Sequence, residues 1–358
     1  MSGSAVVVGA GVFGAATGRE LARRGWDVRV IEQYTAGDVR SGSGGETRLL
    51  RFSHGDAEWY TLLARRALEL WRELEVETGV RLFEPIGIAW FETGDDDFTQ
   101  RSELTLRRLG IACERLTPEE SKRLYPSLGV DDLRSTLYEP DAGVVYARLA
   151  TRTLAGPLRV ETGRVLPAAA PRADVVVWAC GAWLPKLFPG LVEQRISRRD
   201  VFYAGVDGTW AGRPGFCDYA GPYYGHGELG GLGLEVAWDG PGAEIDPDEL
   251  ERLPDPESER LAREYLGRRF PALADAPLVG ARVCQYDLTS DTHFLFDRHP
   301  ERDDWWLLGG GSGHGFKHGP ALAEYVADCI EARRDPEPFH ALGVREGNAG
   351  LRTATVEI

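Results

Sequence analysis

Near its start the chain reads Ala5-Val-Val-Val-Gly9-Ala-Gly11-Val12-Phe13-Gly14, followed by Ala15-Ala-Thr-Gly-Arg-Glu-Leu-Ala22. Consecutive small and β-branched apolar residues fit a strand buried on both faces, as parallel strands are. The glycines then match a dinucleotide fingerprint: Gly9 for a tight turn, Gly11 for close approach of the backbone to a pyrophosphate, Gly14 for packing of the next helix on the strand. Val12 and Phe13 fall in the first turn of that helix, where free N–H groups and the helix dipole favour an anion. The context supports this over a glycine turn in an unrelated α/β fold. Gly25 closes the helix, Asp27-Val-Arg-Val-Ile31 reads as a second strand, and Glu32 ends it where an acid suits a ribose diol and disfavours a 2′-phosphate. The fingerprint alone leaves open which dinucleotide is bound.

A length of 358 residues with 43% hydrophobic content allows two domains with real cores. The net charge of −15 argues against nucleic acid or an anionic membrane as a partner. Arginine far outnumbers lysine, which occurs only at Lys122, Lys186 and Lys317. Cys113, Cys180, Cys217, Cys284 and Cys329 are scattered without a C-x-x-C pair, so neither a disulfide framework nor a metal site is expected. The first strand starts at Ala5 with no charged segment ahead of it and no apolar run reaches transmembrane length, so a cytoplasmic protein is expected.

After Glu32 comes a Gly/Ser-rich loop, Arg40-Ser41-Gly-Ser-Gly-Gly-Glu-Thr47-Arg48-Leu-Leu-Arg51-Phe-Ser-His54. Residues 57–77 place Tyr60, Leu63, Ala64, Ala67, Leu70, Trp71 and Leu74 at helical spacing. Composition shifts near Leu82. Residues 86–91 are then expected as a strand, 97–109 as a helix, and Thr117-Pro-Glu-Glu120 as a helix start with Thr117 as N-cap and Glu120 at the capping-box position. Residues 135–139 read as a strand and 144–154 as a helix. Asp174-Val-Val-Val-Trp-Ala179-Cys-Gly181-Ala-Trp183 reads as another buried strand ending in a glycine turn, a return to the nucleotide domain. The short Ala/Pro/Arg-rich stretch before it, 156–173, is expected to lack a layer of strands often inserted there. Strands are expected at 201–205, 222–225 and 233–239 in an antiparallel system, and a helix at 255–269 whose acidic start and basic end match the dipole. The chain closes with a strand at 305–308, a glycine loop to Pro320 and a helix over 321–333.

Six glycines between 309 and 319 exceed what a plain connector needs, and such a loop brings backbone close to a flat ligand. Lys317 stands in it, a compact and mobile charge for a carboxylate in a chain that otherwise uses arginine. Cys284 is by spacing alone an inert core thiol.

In order and spacing, several stretches resemble the monomeric sarcosine oxidase and N-methyltryptophan oxidase family, FAD-dependent amine oxidases of the D-amino-acid-oxidase-like superfamily. They are the opening fingerprint, Gly44-Gly-Glu-Thr47-Arg48-Leu-Leu-Arg51, residues 175–183, the strand with Glu235, Arg282-Val-Cys284-Gln-Tyr286 with His293-Phe294, and Gly311-Ser-Gly313-His314-Gly315-Phe316-Lys317. The likeness runs from about Ala5 to Ala332 and breaks mainly at 156–173. It implies an α/β FAD-binding Rossmann-like domain built from 1–81, 142–198 and 291–358, and an α+β substrate domain with an antiparallel sheet built from 82–141 and 199–290. It also implies a thioether from Cys284 to the 8-methyl carbon of the flavin, hence covalent FAD, with Arg282 a candidate neighbour for the thiolate. Arg51 and Lys317 fall on the pair that clamps the substrate carboxylate, which implies an amino-acid-like substrate. Arg48 falls beside the flavin ring and Tyr224 on a tyrosine lining the substrate cavity; the alternative for Arg48 and Arg51, the less favoured one, is solvated loop charges. Cofactor contacts are implied for Arg40, Ser41, Thr47 and Arg48, for Ala179, Gly181 and Trp183, and for Gly311, Gly313, His314, Gly315 and Phe316.

The chain departs from the family at three places. Glu235 replaces the lysine that promotes reaction of reduced flavin with oxygen, Asp239 replaces an active-site histidine, and Gly44 replaces a histidine before the Thr-Arg pair. Strand alternation puts Glu235, Ala237 and Asp239 on one face. A cation there stabilises developing superoxide, and a carboxylate opposes it unless protonated. The two acids could act as a base, seat a cationic group, or simply pair with arginines. The implied reaction is oxidation of the C–N bond of a secondary, N-methyl or cyclic amino acid to an imine, with oxygen as acceptor and hydrogen peroxide released. The alternatives are a dehydrogenase passing electrons to a carrier and a non-catalytic flavoprotein subunit; an NAD-linked enzyme would leave the C-terminal glycine loop unexplained.

Overall fold

The structure is a computed structural model that describes residues 3–345; residues 1–2 and 346–358, the outer ends of the expected FAD-binding segments, lie outside it. Ser4–Val8 lies between Asp27–Glu32 and Val175–Trp178 in a six-stranded sheet and pairs in parallel with both. Arg159–Thr162 extends the sheet beyond Asp27–Glu32, while Arg302–Gly309 and its antiparallel partner Leu295–His299 extend it on the other side. Alternation along the strands explains the continuous apolar runs. Val7, Val175 and Val177 pack toward Leu322, Tyr325 and Val326 of helix Gly319–Ile330, and Val6, Val8, Val176 and Trp178 toward Leu184, Phe188 and Val192 on the opposite face. Gly9 makes the turn at φ +105°, where an added Cβ would stand 2.3 Å from the Ala179 carbonyl oxygen; at Gly14 it would stand 2.0 Å from the Gly9 carbonyl oxygen. Both positions require glycine, in the roles the fingerprint assigns to them.

A second sheet has eight strands in the order Leu278–Leu288, Arg195–Ala204, Leu234–Trp238, Tyr223–His226, Gly215–Asp218, Ile88–Glu92, Ser135–Glu139, Glu114–Leu116. Among the described residues it is antiparallel except where Gly215–Asp218 meets Ile88–Glu92 in parallel. The expectation of an antiparallel sheet therefore holds within each of two chain segments, which are joined edge to edge at that pair. Helix Pro256–Arg269 covers one face, with Tyr265 and Leu266 in the core formed by Phe91, Phe202, Phe216 and Val236. The other face carries a row in register, Trp90, Cys217, Tyr224 and Ala237.

Two expectations are corrected. Residues 143–146 are a strand, not the start of a helix: Gly143–Tyr146 runs between Thr47–Leu50 and Phe83–Glu84, and the helix is Ala147–Ala155. Cross-strand pairing on both sides decides for Val144 and Val145 what periodicity could not. The stretch 156–173 contributes one strand, Arg159–Thr162, at the edge of the six-stranded sheet, and no separate layer among the described residues. The last described helix ends at Ile330, and Ala332 at φ +55° cannot continue it toward 333. Helix Glu58–Thr78 and the Thr117–Glu120 capping box form as expected, and the helix expected from 255 runs over Pro256–Arg269 with Asp255 as its cap. Among the described residues no helix is long and apolar enough to cross a membrane.

Candidate active site

A cavity of about 310 Å³ connects the Gly9 turn to the row on the second sheet. Gly9, Gly11, Val12, Phe13, Glu32 and Ser41 line it, as do Ala179, Gly181 and Trp183 and the loop residues Gly311, Gly313, His314, Gly315 and Phe316. Ser43 Oγ accepts from Val12 N at 2.9 Å, which ties the polar loop to the helix start. The C-terminal loop lies directly on the fingerprint: a Cβ at Gly315 would stand 2.7 Å from the Phe13 ring. Glu32 takes Ala10 N at 2.7 Å and Tyr34 N at 3.0 Å, so the acid expected to meet a ribose also braces its own turn. Burial outweighs these bonds and raises its pKa.

Arg48, Arg51, Tyr224, Asp239 and Lys317 line the same cavity, together with Trp90, Cys217 and Tyr286. The Arg51 guanidinium donates to the Ser53 carbonyl oxygen and lies 4.9 Å from the centre of the Trp90 ring. Lys317 Nζ donates to the His314 carbonyl oxygen at 2.8 Å, and its own carbonyl accepts from Trp71 Nε1 at 2.9 Å. Burial first, and then Arg51, push the Lys317 pKa well below its ordinary value. An anion placed between these two cations relieves both penalties. The Tyr286 hydroxyl donates to Asp239 Oδ1 at 3.1 Å and lies 3.3 Å from the Tyr224 hydroxyl.

Five expected site residues are not on the wall. Gly14 is beneath the turn, and Arg40 is exposed, paired with Asp38 at 2.7 Å and stacked on Tyr34. Cys284 is buried behind the wall that its neighbours Gln285 and Tyr286 help to form; Arg48 Nη2 lies 3.5 Å from its Sγ. Burial opposes ionisation of this thiol, but Arg48, then Arg282 and Arg252, outweigh it and hold the pKa below the ordinary value. Arg48 is thus the neighbour that touches the sulfur, ahead of the expected Arg282. Thr47 and Glu235 pair with each other at 2.8 Å, and His226 Nε2 is 3.6 Å from Glu235 Oε2. Glu235 and Asp239 do share a sheet face, but Thr47 and His226 occupy Glu235, and Asp239 alone of the two reaches the cavity. The partner of Glu235 is a histidine, where arginine pairing had been the structural alternative.

Trp90, Gln285, Tyr286, Asp287 and the stretch 163–166 also line the cavity and carried no sequence signal apart from Gln285 and Tyr286, which sit in the cysteine motif. Asp287 accepts from Gly311 N at 3.2 Å and so links the strand to the glycine loop; burial raises its pKa to about 6. Among the described residues one cluster has metal-ligand spacing, the buried His54, His314 and His318, with ligand atoms within 4.8 Å of one another. It contains no anionic ligand, and Lys317 and Arg51 act on it as cations, so a dication would enter against two positive charges. Burial holds the pKa of His54 and of His318 well below the ordinary value, so these two fit packed imidazoles better than a metal centre.

A dinucleotide with a flat ring fits the remainder. The glycine turn leaves room only where side chains are missing, Glu32 is placed at the end of the second strand, and the buried Gln285 Nε2, on the wall, has no hydrogen-bond partner among the described residues. Fold and cavity together define a class of enzyme organised around an extended dinucleotide. A family model described as FAD dependent oxidoreductase matches residues 4–329, and the chain belongs to that family. It is 30% identical over 353 residues to monomeric sarcosine oxidase from Bacillus sp. (strain B-0618), covering 90% of each chain. It is 26% identical over 365 residues to N-methyl-L-tryptophan oxidase from Yersinia pestis (strain Pestoides F), covering 93% of this chain and 96% of that one. The resemblance read from the motifs is borne out over most of the chain. Among solved structures, L-proline dehydrogenase from P. horikoshii shares the fold with a TM-score of 0.81 at 23% identity, covering 94% of this chain and 95% of that one.

Proposed function

We propose that this chain uses FAD to oxidise the C–N bond of an amino acid bearing a secondary, N-methyl or cyclic amine, giving an imine. The observation that carries this reading is the placement of Arg51 and Lys317 on the wall of the cavity that begins at the Gly9 turn. A carboxylate held by both is fixed in orientation, and its amine then faces Tyr224, Tyr286 and Asp239. Sarcosine, which is N-methylglycine, and N-methyl-L-tryptophan appear in the relatives' names and support the same substrate class.

Bound FAD supplies a two-electron acceptor. The carbon beside nitrogen gives up a hydride equivalent while the nitrogen lone pair closes the C=N bond, so the amine must be neutral when it reacts. Asp239, held by Tyr286, is the wall residue suited to take its proton. Water hydrolyses an open-chain imine, and a cyclic one persists. Dioxygen then takes two electrons and two protons and leaves as hydrogen peroxide. A carrier in place of dioxygen is the second reading, favoured by Glu235. Burial works to protonate this acid, but His226, Thr47 and Arg48 hold its pKa below the ordinary value, and a carboxylate opposes superoxide formation. Oxygen uptake compared with dye reduction decides between them: peroxide formed in step with substrate consumption is expected, and fast dye reduction without peroxide assigns the carrier.

The cofactor is read as bonded through Cys284, supported by the sulfur's position beside Arg48. Such a bond would replace one hydrogen of the flavin 8-methyl group by the Cys284 sulfur, and would need an acceptor such as dioxygen for the two protons and two electrons released. Yellow colour is expected to stay with acid-precipitated protein and to be released from a Cys284→Ala variant; free FAD from the wild type contradicts the bond. The expected domain division belongs to the same proposal. It is supported by the strands of the parallel sheet, which come from 4–32, 159–178 and 295–309, whereas the eight-stranded sheet draws on 88–139 and 195–288. The acidic balance supports a small-molecule substrate, without nucleic acid or an anionic membrane as partner.

A further inference from the structure

Glu235 and His226 stand off the cavity wall, yet they connect to Cys284 through a continuous set of contacts. Thr47 Oγ1 donates to Glu235 Oε2 at 2.8 Å and lies 2.9 Å from His226 Nε2, while His226 Nδ1 is 2.6 Å from the Gly227 carbonyl oxygen. The carbonyl oxygen of the same Thr47 accepts from Arg48 Nη1 at 2.6 Å. Arg48 Nη2 donates to the Gly42 carbonyl oxygen at 2.7 Å and faces Cys284 Sγ at 3.5 Å. Thr47, His226, Glu235 and Cys284 are all buried.

We propose that Glu235 and His226 are positioning residues for Cys284: by anchoring the Thr47 side chain they fix the carbonyl group that aims the Arg48 guanidinium at the sulfur. An arginine on a long flexible stem favours a thiolate only while its fork is held in place. Here two carbonyl groups hold the fork, and one belongs to Thr47, the first residue of a four-residue strand at the edge of its sheet. A strand end in that position frays readily unless its side chain is tied down, and the Glu235–His226 pair is the tie. This gives a use to an acid that stands where the family resemblance led one to expect a lysine. The proposal rests on the reading of Cys284 as the point of flavin attachment only for its consequence; the state of the thiol can be read without flavin.

The two ways in which Glu235 can act on the thiol have opposite signs. As a nearby charge, its carboxylate disfavours a second anion, so its removal lowers the thiol pKa. As an anchor for Arg48, its removal raises it. The other cations facing the sulfur, Arg282 on its own strand and Arg252, whose Nη1 donates to the Val283 carbonyl oxygen at 3.1 Å, are the same in every variant. The test uses the full chain made in riboflavin-starved cells, with the ultraviolet thiolate band followed against pH and the Cys284→Ala protein subtracted. Glu235→Gln keeps an acceptor for Thr47 without the charge, Glu235→Leu removes both, and Thr47→Val removes the anchor while leaving Glu235 and His226 together. The midpoint is expected to rise by about one pH unit in Thr47→Val and Glu235→Leu, and to stay or fall in Glu235→Gln. Thr47→Ser, which keeps the hydroxyl, is expected to match the wild type. A lower midpoint in both Glu235 variants, or no rise in Thr47→Val, overturns the proposal. If these shifts occur but wild-type protein given FAD in air releases all its flavin in acid, the attachment reading fails and the positioning of Arg48 stands.

Discussion

Lys317 stands where burial and Arg51 both oppose a positive charge, and a substrate carboxylate reverses that balance. A lysine pKa depressed in the free site and restored by an anion means that carboxylate binding takes up a proton. Affinity for a non-oxidisable carboxylate should therefore fall as pH rises through the depressed value. Calorimetry in buffers of differing ionisation enthalpy should report the uptake, and Lys317→Met should abolish it; binding without uptake in the wild type contradicts the assignment. Arg51→Met and Lys317→Met should each lower kcat/KM for an amino-acid substrate about 100-fold, the loss of a charge-assisted bond, and should leave an amine without a carboxylate much less affected. At the other end of the cavity, Gly9→Ala should prevent flavin retention. Its Cβ would stand 2.3 Å from the Ala179 carbonyl oxygen, and the backbone would be held at φ +105° at a cost of about 1–3 kcal/mol from strain alone.

Between elements, the Glu235–His226 pair joins neighbouring strands Leu234–Trp238 and Tyr223–His226 across their register. Burial opposes both charges, but the partners prevail: the pKa of Glu235 is lowered from 4.5 and that of His226 raised from 6.5. The Glu235 contribution to stability is present above 4.5 and lost as pH falls through its depressed value. The His226 contribution is complete below 6.5 and lost as pH rises through its raised value. The pair therefore stabilises most fully between pH 4.5 and 6.5. Urea unfolding of His226→Phe should show a loss of about 3 kcal/mol in that window, because Glu235 is left buried without its partner. Adding Glu235→Leu should recover much of it; a single-variant loss below about 0.5 kcal/mol contradicts the pairing. This pair also marks where sequence reading stops. Alternation put Glu235 and Asp239 on one face, which the register supports, but which acid reaches the cavity was decided by Thr47, 188 positions away from Glu235 in the chain. Strand Gly143–Tyr146 escaped detection for the same reason, since its two pairing partners come from distant segments. The opening strand, turn and helix were legible because their apolar run and glycine spacing are local signals, although the strand also pairs with Val175–Trp178 far along the chain.

At the scale of the molecule, the first 32 residues supply the glycine turn, and the proposed chemistry uses a cavity assembled out of Arg48 and Arg51, the Tyr224 and Tyr286 strands and the C-terminal loop. That assembly is a product of tertiary packing. The residues alone offered Lys317 as a charge for a carboxylate and left Cys284 as core; family resemblance paired the first with Arg51 and gave the second its role. The parallel junction between Gly215–Asp218 and Ile88–Glu92 was likewise invisible, because it depends on how two separate segments meet. What unites turn, clamp and sheet is the claim that one cavity holds a flavin and an amino acid together. The most direct test is anaerobic mixing of the flavin-loaded protein with N-methyl, cyclic and basic amino acids and with the matching amines that lack the carboxylate, followed by the visible flavin absorbance. The absorbance should bleach with at least one secondary or cyclic amino acid, and only weakly with its decarboxylated counterpart. Flavin that stays oxidised with the whole series, or bleaches equally with and without the carboxylate, contradicts the account.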